Sequence, residues 1–137
     1  MSYALHPNVL AAVTIWQEAR GEPIEGKIAV AQVIRNRMNR KFHSDGTVAG
    51  TVLKPYQFSG WNTQDSNRVL AALVDTDDDS YVECVSAWDM SGYQLTPLFP
   101  AVLYHSKHMD KYPSWTKSPR VTQIAVIGNH IFYNEET

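Results

Sequence analysis

The stretch Trp16-Gln17-Glu18-Ala19-Arg20-Gly21-Glu22-Pro23 is the densest meeting of charge and glycine in an otherwise apolar neighbourhood. Glu18 falls at the end of a predicted helix, where the backbone dipole disfavours an anion, and beside the ring of Trp16; both conditions favour the protonated carboxyl and predict a raised pKa. A carboxyl kept protonated near neutrality serves as a general acid toward a leaving glycosidic oxygen. By position alone the other reading stands beside it, a surface Glu paired with Arg20 or Arg35. Gln57-Phe58-Ser59-Gly60-Trp61 interleaves aromatic rings with amide and hydroxyl groups, which suits sugars, since these lay C–H faces on rings and offer hydroxyls to paired donors and acceptors. Tyr104-His105, Trp115 and Asn129-His130-Ile131-Phe132-Tyr133 repeat that mixture. Each patch alone is more often core or surface packing; an acid on a neighbouring helix end turns them into one site hypothesis.

Metal chemistry has less support. His105 and His108 stand three apart, but there is no HExxH and no ligand at a familiar zinc spacing around His43, His105, His108 or His130, so no metal and no cofactor are expected. The acidic run Asp75, Asp77, Asp78 and Asp79 lacks the Gly and closing Glu of a calcium loop and reads as a solvated turn between helices. Arg35, Arg37, Arg40 and Lys41 hold four of the 12 basic residues. They read as a solvated helix end that complements the C-terminal dipole, with attraction to an anionic polymer as the second reading. Phosphate-binding and nucleophile-elbow motifs are absent.

The elements that must position these groups are mostly helical. Val9, Ala12, Val13 and Trp16 recur at helical spacing over about Asn8 to Ala19, with Gly21 as a stop. A second helix is predicted from Pro23 to about Lys41, carrying Ile24, Ile28, Ala31, Ile34 and Met38 on one face, with Gly26 expected where it packs closely on the first helix. Phe42 to Gly60 reads as a long loop with short extended pieces. Two shorter helices are predicted over Ser66 to Val74 and Ser80 to Met90. From Tyr93 onward, prolines 97, 100, 113 and 119 break up any long helix, and Val121 to Tyr133 alternates well enough for one or two strands or a packed loop.

At 137 residues, with 44% hydrophobic and 19% charged residues, the chain has the apolar surface for one core and not two, which excludes disorder. A net charge of −2 argues against nucleic acid as the main partner. The single Cys84 makes no internal disulfide and reads as a small apolar residue. No stretch is long enough to span a membrane, no signal peptide is predicted, and a monomer made in the cytosol is expected.

Taken jointly, Ile15-Trp16-Gln17-Glu18-Ala19-Arg20-Gly21-Glu22-Pro23 with Gly26, Ile28-Ala29-Val30-Ala31-Gln32-Val33-Ile34-Arg35-Asn36-Arg37, Gln57-Phe58-Ser59, Leu103-Tyr104-His105 and Ile127-Gly128-Asn129-His130-Ile131-Phe132-Tyr133 resemble the cell wall hydrolases of the spore cortex-lytic, SleB-like type. The resemblance implies a mainly α (α+β), lysozyme-like and lytic-transglycosylase-like single domain over residues 1–137, with a small β or extended-loop region. It implies cleavage of peptidoglycan glycan strands between N-acetylmuramic acid and N-acetylglucosamine, with Glu18 as catalytic acid. Gln57, Phe58, Ser59 and Tyr104 would line the groove, joined on composition by Trp61, His105, Trp115, His130 and Tyr133; Glu22 and His130 receive no assigned role. Spore members of the family usually carry an export signal and a wall-binding domain. Their absence here implies a bacteriophage endolysin, released through a holin-type pore to lyse the host. Only one convincing carboxylate is found, Asp65, Asp89 and Asp110 lacking motif character, whereas hydrolytic glycosidases use two. That favours the lytic transglycosylase route, with a hydrolytic muramidase, a metal-dependent amidase and an inactive glycan-binding module as alternatives.

Overall fold

The computed structural model describes residues 6–55, 57–61, 78–93 and 99–136. The predicted helix Ser66 to Val74, Asp65, Asp75, Asp77 and Pro97 lie outside them. Helix α1 (Pro7–Ala19) begins on proline, whose fixed φ suits a first turn, and the His6 ring accepts the Asn8 amide. Leu10 to Ile15 are buried all round, so this is a central helix and not an amphipathic surface one; Val9, read as part of its apolar stripe, is exposed. Helix α2 (Ile24–Arg40) ends where Lys41 turns left-handed at φ 52° and its amide reaches back to the carbonyls of Arg37 and Met38. The Gly26 contact is not with α1 as expected: a Cβ there would meet the Glu22 side chain at 3.0 Å, so the close approach is to the turn before it.

The expected long loop with extended pieces instead holds helix α3 (Val48–Val52), capped by Thr47, and a 3-10 turn Ser59–Trp61. Asp78 accepts the amides of Ser80 and Tyr81 and so caps helix α4 (Asp79–Ser91), a specific use for one member of the acidic run. Helix α4 packs against both α1 and α2. Strands β1 (Leu103–Ser106), β2 (Val121–Ile127) and β3 (His130–Glu135) form an antiparallel sheet in the order β1-β3-β2. A bulge at Ile124 shifts the β2–β3 register.

The alternation of β1 and β3 sorts their side chains into two layers. Tyr104 and Phe132, paired across the strands, face the main core of Ile15, Val30, Val33, Ile34, Val52, Phe58 and Trp88. Leu103, Ile131 and Tyr133 point the other way, with Val102, Phe42, Trp115 and Val121. Cys84 is fully buried and its thiol is pushed up to about 12, so it is an inert core residue. No helix among the described residues is long and apolar enough to cross a membrane.

Candidate active site

Glu18 stands one residue before the end of α1, half-buried, and its Oε1 accepts the Tyr104 phenol O–H at 2.5 Å. Burial and the neighbouring Glu18 push the Tyr104 phenol well above its usual range, so it remains a donor. Beneath this pair lies Arg37, only 4% exposed, whose Nε donates to the Val102 carbonyl at 2.7 Å and whose Nη1 donates to Gln57 Oε1 at 3.2 Å. Its guanidinium lies 5.0 Å over the Phe58 ring and within Coulombic reach of Glu18 and Tyr104. Burial lowers the guanidinium pKa, while those two neighbours raise it. A phenol donor and a buried cation both favour the ionised carboxylate, and neither enters the sequence-level expectation of an acid held protonated by its helix end and Trp16. The arrangement suits a group that gives up a proton, is held as an anion, and takes a proton back.

Of the two arginines that could have paired with Glu18, Arg35 turns away. It donates to Ser91 Oγ and the Trp88 carbonyl and stacks 3.7 Å over the Trp88 ring. Arg40 bonds Asn134 and the Glu135 carbonyl. The solvated basic helix end is therefore a misreading: α2 aims three of those four cations at protein acceptors. Arg37 is the site residue that this reading missed. It continues the spacing Val30, Val33, Ile34, so its place on the buried face was visible in the sequence.

The residues proposed to bind substrate divide. Glu18, Gln57 and Tyr104 converge around Arg37, and the His130 ring lies 5.1 Å from Tyr104. Phe58 is 1% exposed and backs the site from the core instead of lining a groove. Ser59 opens the 3-10 turn, and the half-buried Trp61 at its end donates from its indole to Thr14 of α1 at 2.9 Å. His105, Trp115 and Tyr133 lie on the far face of the sheet. There His105 Nε2 meets the Tyr133 hydroxyl at 2.8 Å, and the Trp115 ring packs edge-on against Tyr133 at 5.1 Å.

Glu22 also finds its place. Only 7% exposed, it accepts the Asn129 backbone amide at 2.7 Å on Oε1 and the Asn129 side-chain amide at 2.9 Å on Oε2. His108 Nε2 donates to the other end of that amide at 2.9 Å, orienting it toward the carboxylate. The β2–β3 turn approaches so closely that a Cβ on Gly128, at φ +57°, would lie 2.6 Å from Glu22 Oε1. His130 Nδ1 faces the same oxygen at 3.5 Å without a hydrogen bond. Burial lowers the His130 pKa, against the pull of Glu22, so the ring is neutral at pH 7. Glu22 thus ties the turn to the α1–α2 corner, with both oxygens occupied. No group of three or more potential metal ligands occurs among the described residues.

Residues 21–133 match the family model described as Cell Wall Hydrolase. The spore cortex-lytic enzyme of Oceanobacillus iheyensis is 32% identical over 133 residues, 95% of this chain and 42% of the relative. The chain thus spans less than half the length of that curated relative. The catalytic domain of the Bacillus cereus SleB protein superposes with a TM-score of 0.70 at 27% identity, covering 96% of this chain and 91% of the other. The catalytic domain of the germination-specific lytic transglycosylase SleB from Bacillus anthracis gives 0.68 at 25% identity, covering 96% and 98%.

Proposed function

Since the chain belongs to the cell wall hydrolase family, we propose that it is a single catalytic domain that cleaves peptidoglycan glycan strands between N-acetylmuramic acid and N-acetylglucosamine as a lytic transglycosylase. The observation that carries the reading is the Tyr104–Glu18 hydrogen bond above the buried Arg37. In this reading the Glu18 carboxyl protonates the bridging oxygen as the bond to the muramoyl C1 breaks, the bonding pair leaving with that oxygen. The carboxylate so formed is held by Tyr104 and by the charge of Arg37. The muramoyl 6-hydroxyl then attacks C1 and gives its proton to Glu18, which restores the acid and closes a 1,6-anhydro ring.

The choice of transglycosylation over hydrolysis is supported by Glu22. An inverting or retaining hydrolase needs a second free carboxylate. The nearest in sequence is Glu22, and Asn129 takes both its oxygens.

Mass spectrometry of fragments from purified peptidoglycan tests the proposal. Anhydromuramoyl ends, lighter than hydrolytic products by one water and without a new reducing end, are expected. Reducible muramic acid as the main product replaces the route with that of a muramidase. Free muramic lactyl groups, with activity lost to EDTA and restored by zinc, replace it with an amidase. Wall binding without any fragments leaves a binding module. Lysis of vegetative host walls supports the endolysin role; activity confined to spore cortex supports the role named for the relatives.

A further inference from the structure

Arginine has only donors, so the contact of Arg37 Nη1 with Gln57 fixes the amide unambiguously: its oxygen points inward to the guanidinium and its NH2 points away. No protein acceptor meets that NH2 among the described residues, and Gln57 is half-buried beside the Glu18–Tyr104 pair that Arg37 underlies. Arg37 is itself fixed, by the Val102 carbonyl at the entry to β1 and by the Phe58 ring next to Gln57 in sequence. One buried cation therefore braces the two segments that carry Gln57 and Tyr104. Among the described residues no carboxylate lies within ion-pair distance of it.

We propose that Arg37 is a positioning residue that locks Gln57 as a donor-only contact, so that the site recognises a carbonyl-type oxygen on the glycan, the acetamido oxygen or the lactyl carbonyl, next to the bond that Glu18 cleaves. The proposal rests on the functional reading above. A freely rotating glutamine would offer donors or acceptors equally; one pinned by a guanidinium discriminates, because a wrong partner leaves a polar group unpaired.

The test uses Gln57→Glu, which keeps shape, gains an ion pair with Arg37 and replaces outward donors with an acceptor. Binding is measured by calorimetry in the inactive Glu18→Gln background, with a peptidoglycan tetrasaccharide and with chitotetraose, which has acetamido oxygens but no lactyl group. Affinity for the tetrasaccharide is expected to fall on the order of tenfold, with an unchanged or higher thermal midpoint. In the active enzyme KM rises more than kcat falls. Loss on both sugars assigns the acetamido oxygen, and loss on the muramic sugar alone assigns the lactyl carbonyl. Arg37→Lys, which keeps the charge but not the fork, should raise KM in the same direction.

Undiminished binding by Gln57→Glu overturns the proposal, as does a folded Arg37→Lys enzyme with unaltered KM. If Arg37→Lys fails to fold, the Gln57→Glu result decides. Full lysis by Glu18→Gln would sink the functional reading itself, whereas its inactivity together with wild-type binding by Gln57→Glu sinks only this inference.

Discussion

The two faces of the small sheet carry nearly the same side chains and use them oppositely. On one, Tyr104 and His130 lean on the helical core, and the Tyr104 hydroxyl leaves the sheet for a carboxylate on α1. On the other, His105 and Tyr133 bond each other and stack at 5.3 Å. A tyrosine and a histidine satisfied by one another close a packed layer; the same two residue types set against an acid and a buried cation form the candidate site. What separates the faces is the partner delivered by a distant helix, and neither residue type nor local sequence carries that.

The sharpest way to break the contrast is Glu18→Gln. Wall lysis should fall by at least about two orders of magnitude, since an amide cannot donate the proton. The thermal midpoint should stay level or rise. Retained lysis would remove the functional face altogether.

Matched Tyr→Phe changes compare the faces directly. Tyr104→Phe takes the donor from Glu18 and should lower kcat roughly tenfold or more. Tyr133→Phe strands His105 Nε2 and should cost about 1 kcal/mol of stability, with a far smaller loss of activity per folded molecule. Equal kinetic losses would show that the far face also meets substrate.

Glu22→Gln presents one donor where Asn129 needs two acceptors, so about 1–3 kcal/mol of stability should be lost in denaturant melts, with milder kinetic damage than at Glu18. Gly128→Ala should cost a similar amount, from its φ of +57° and the overlap with Glu22. Kinetic damage ordered the other way would move the acid from Glu18 to Glu22.

The smallest effect is on pH. The half-buried His130 binds its proton less readily when folded, so the unfolded chain takes up more protons as pH falls. Stability should therefore decline below about pH 6.5 and level off once the folded ring is protonated too. In His130→Gln the thermal midpoint should change less between about pH 7 and pH 5. An unchanged difference would assign the acid sensitivity elsewhere.

Helices α1, α2 and α4 were legible because 13 to 17 residues give apolar periodicity several turns to register, and Pro23 marks the start of α2. Strand β1 was not: four residues offer too short an alternation, and its pairing depends on β3, 27 or so positions away. Glu18 was visible through its motif and its helix end. The division of Tyr104 from His105, neighbours in sequence, was not, because only the register of a strand decides which face each takes. Arg37 was hidden by its type, since charge suggests solvent unless its place in the apolar spacing is weighed first.

The strand order has a consequence for how the protein comes into being. Of the described strands β3 is synthesised last, yet it lies at the centre of the sheet, and neither β1 nor β2 has a strand to pair with until it exists. The bonds from Glu22 to Asn129 span 107 residues, and that from Glu18 to Tyr104 spans 86. Such long loop closures slow folding. A growing chain on the ribosome therefore carries Glu18 well before Tyr104 and the hairpin that centres the sheet have emerged, so the candidate site should form abruptly with completion of that hairpin.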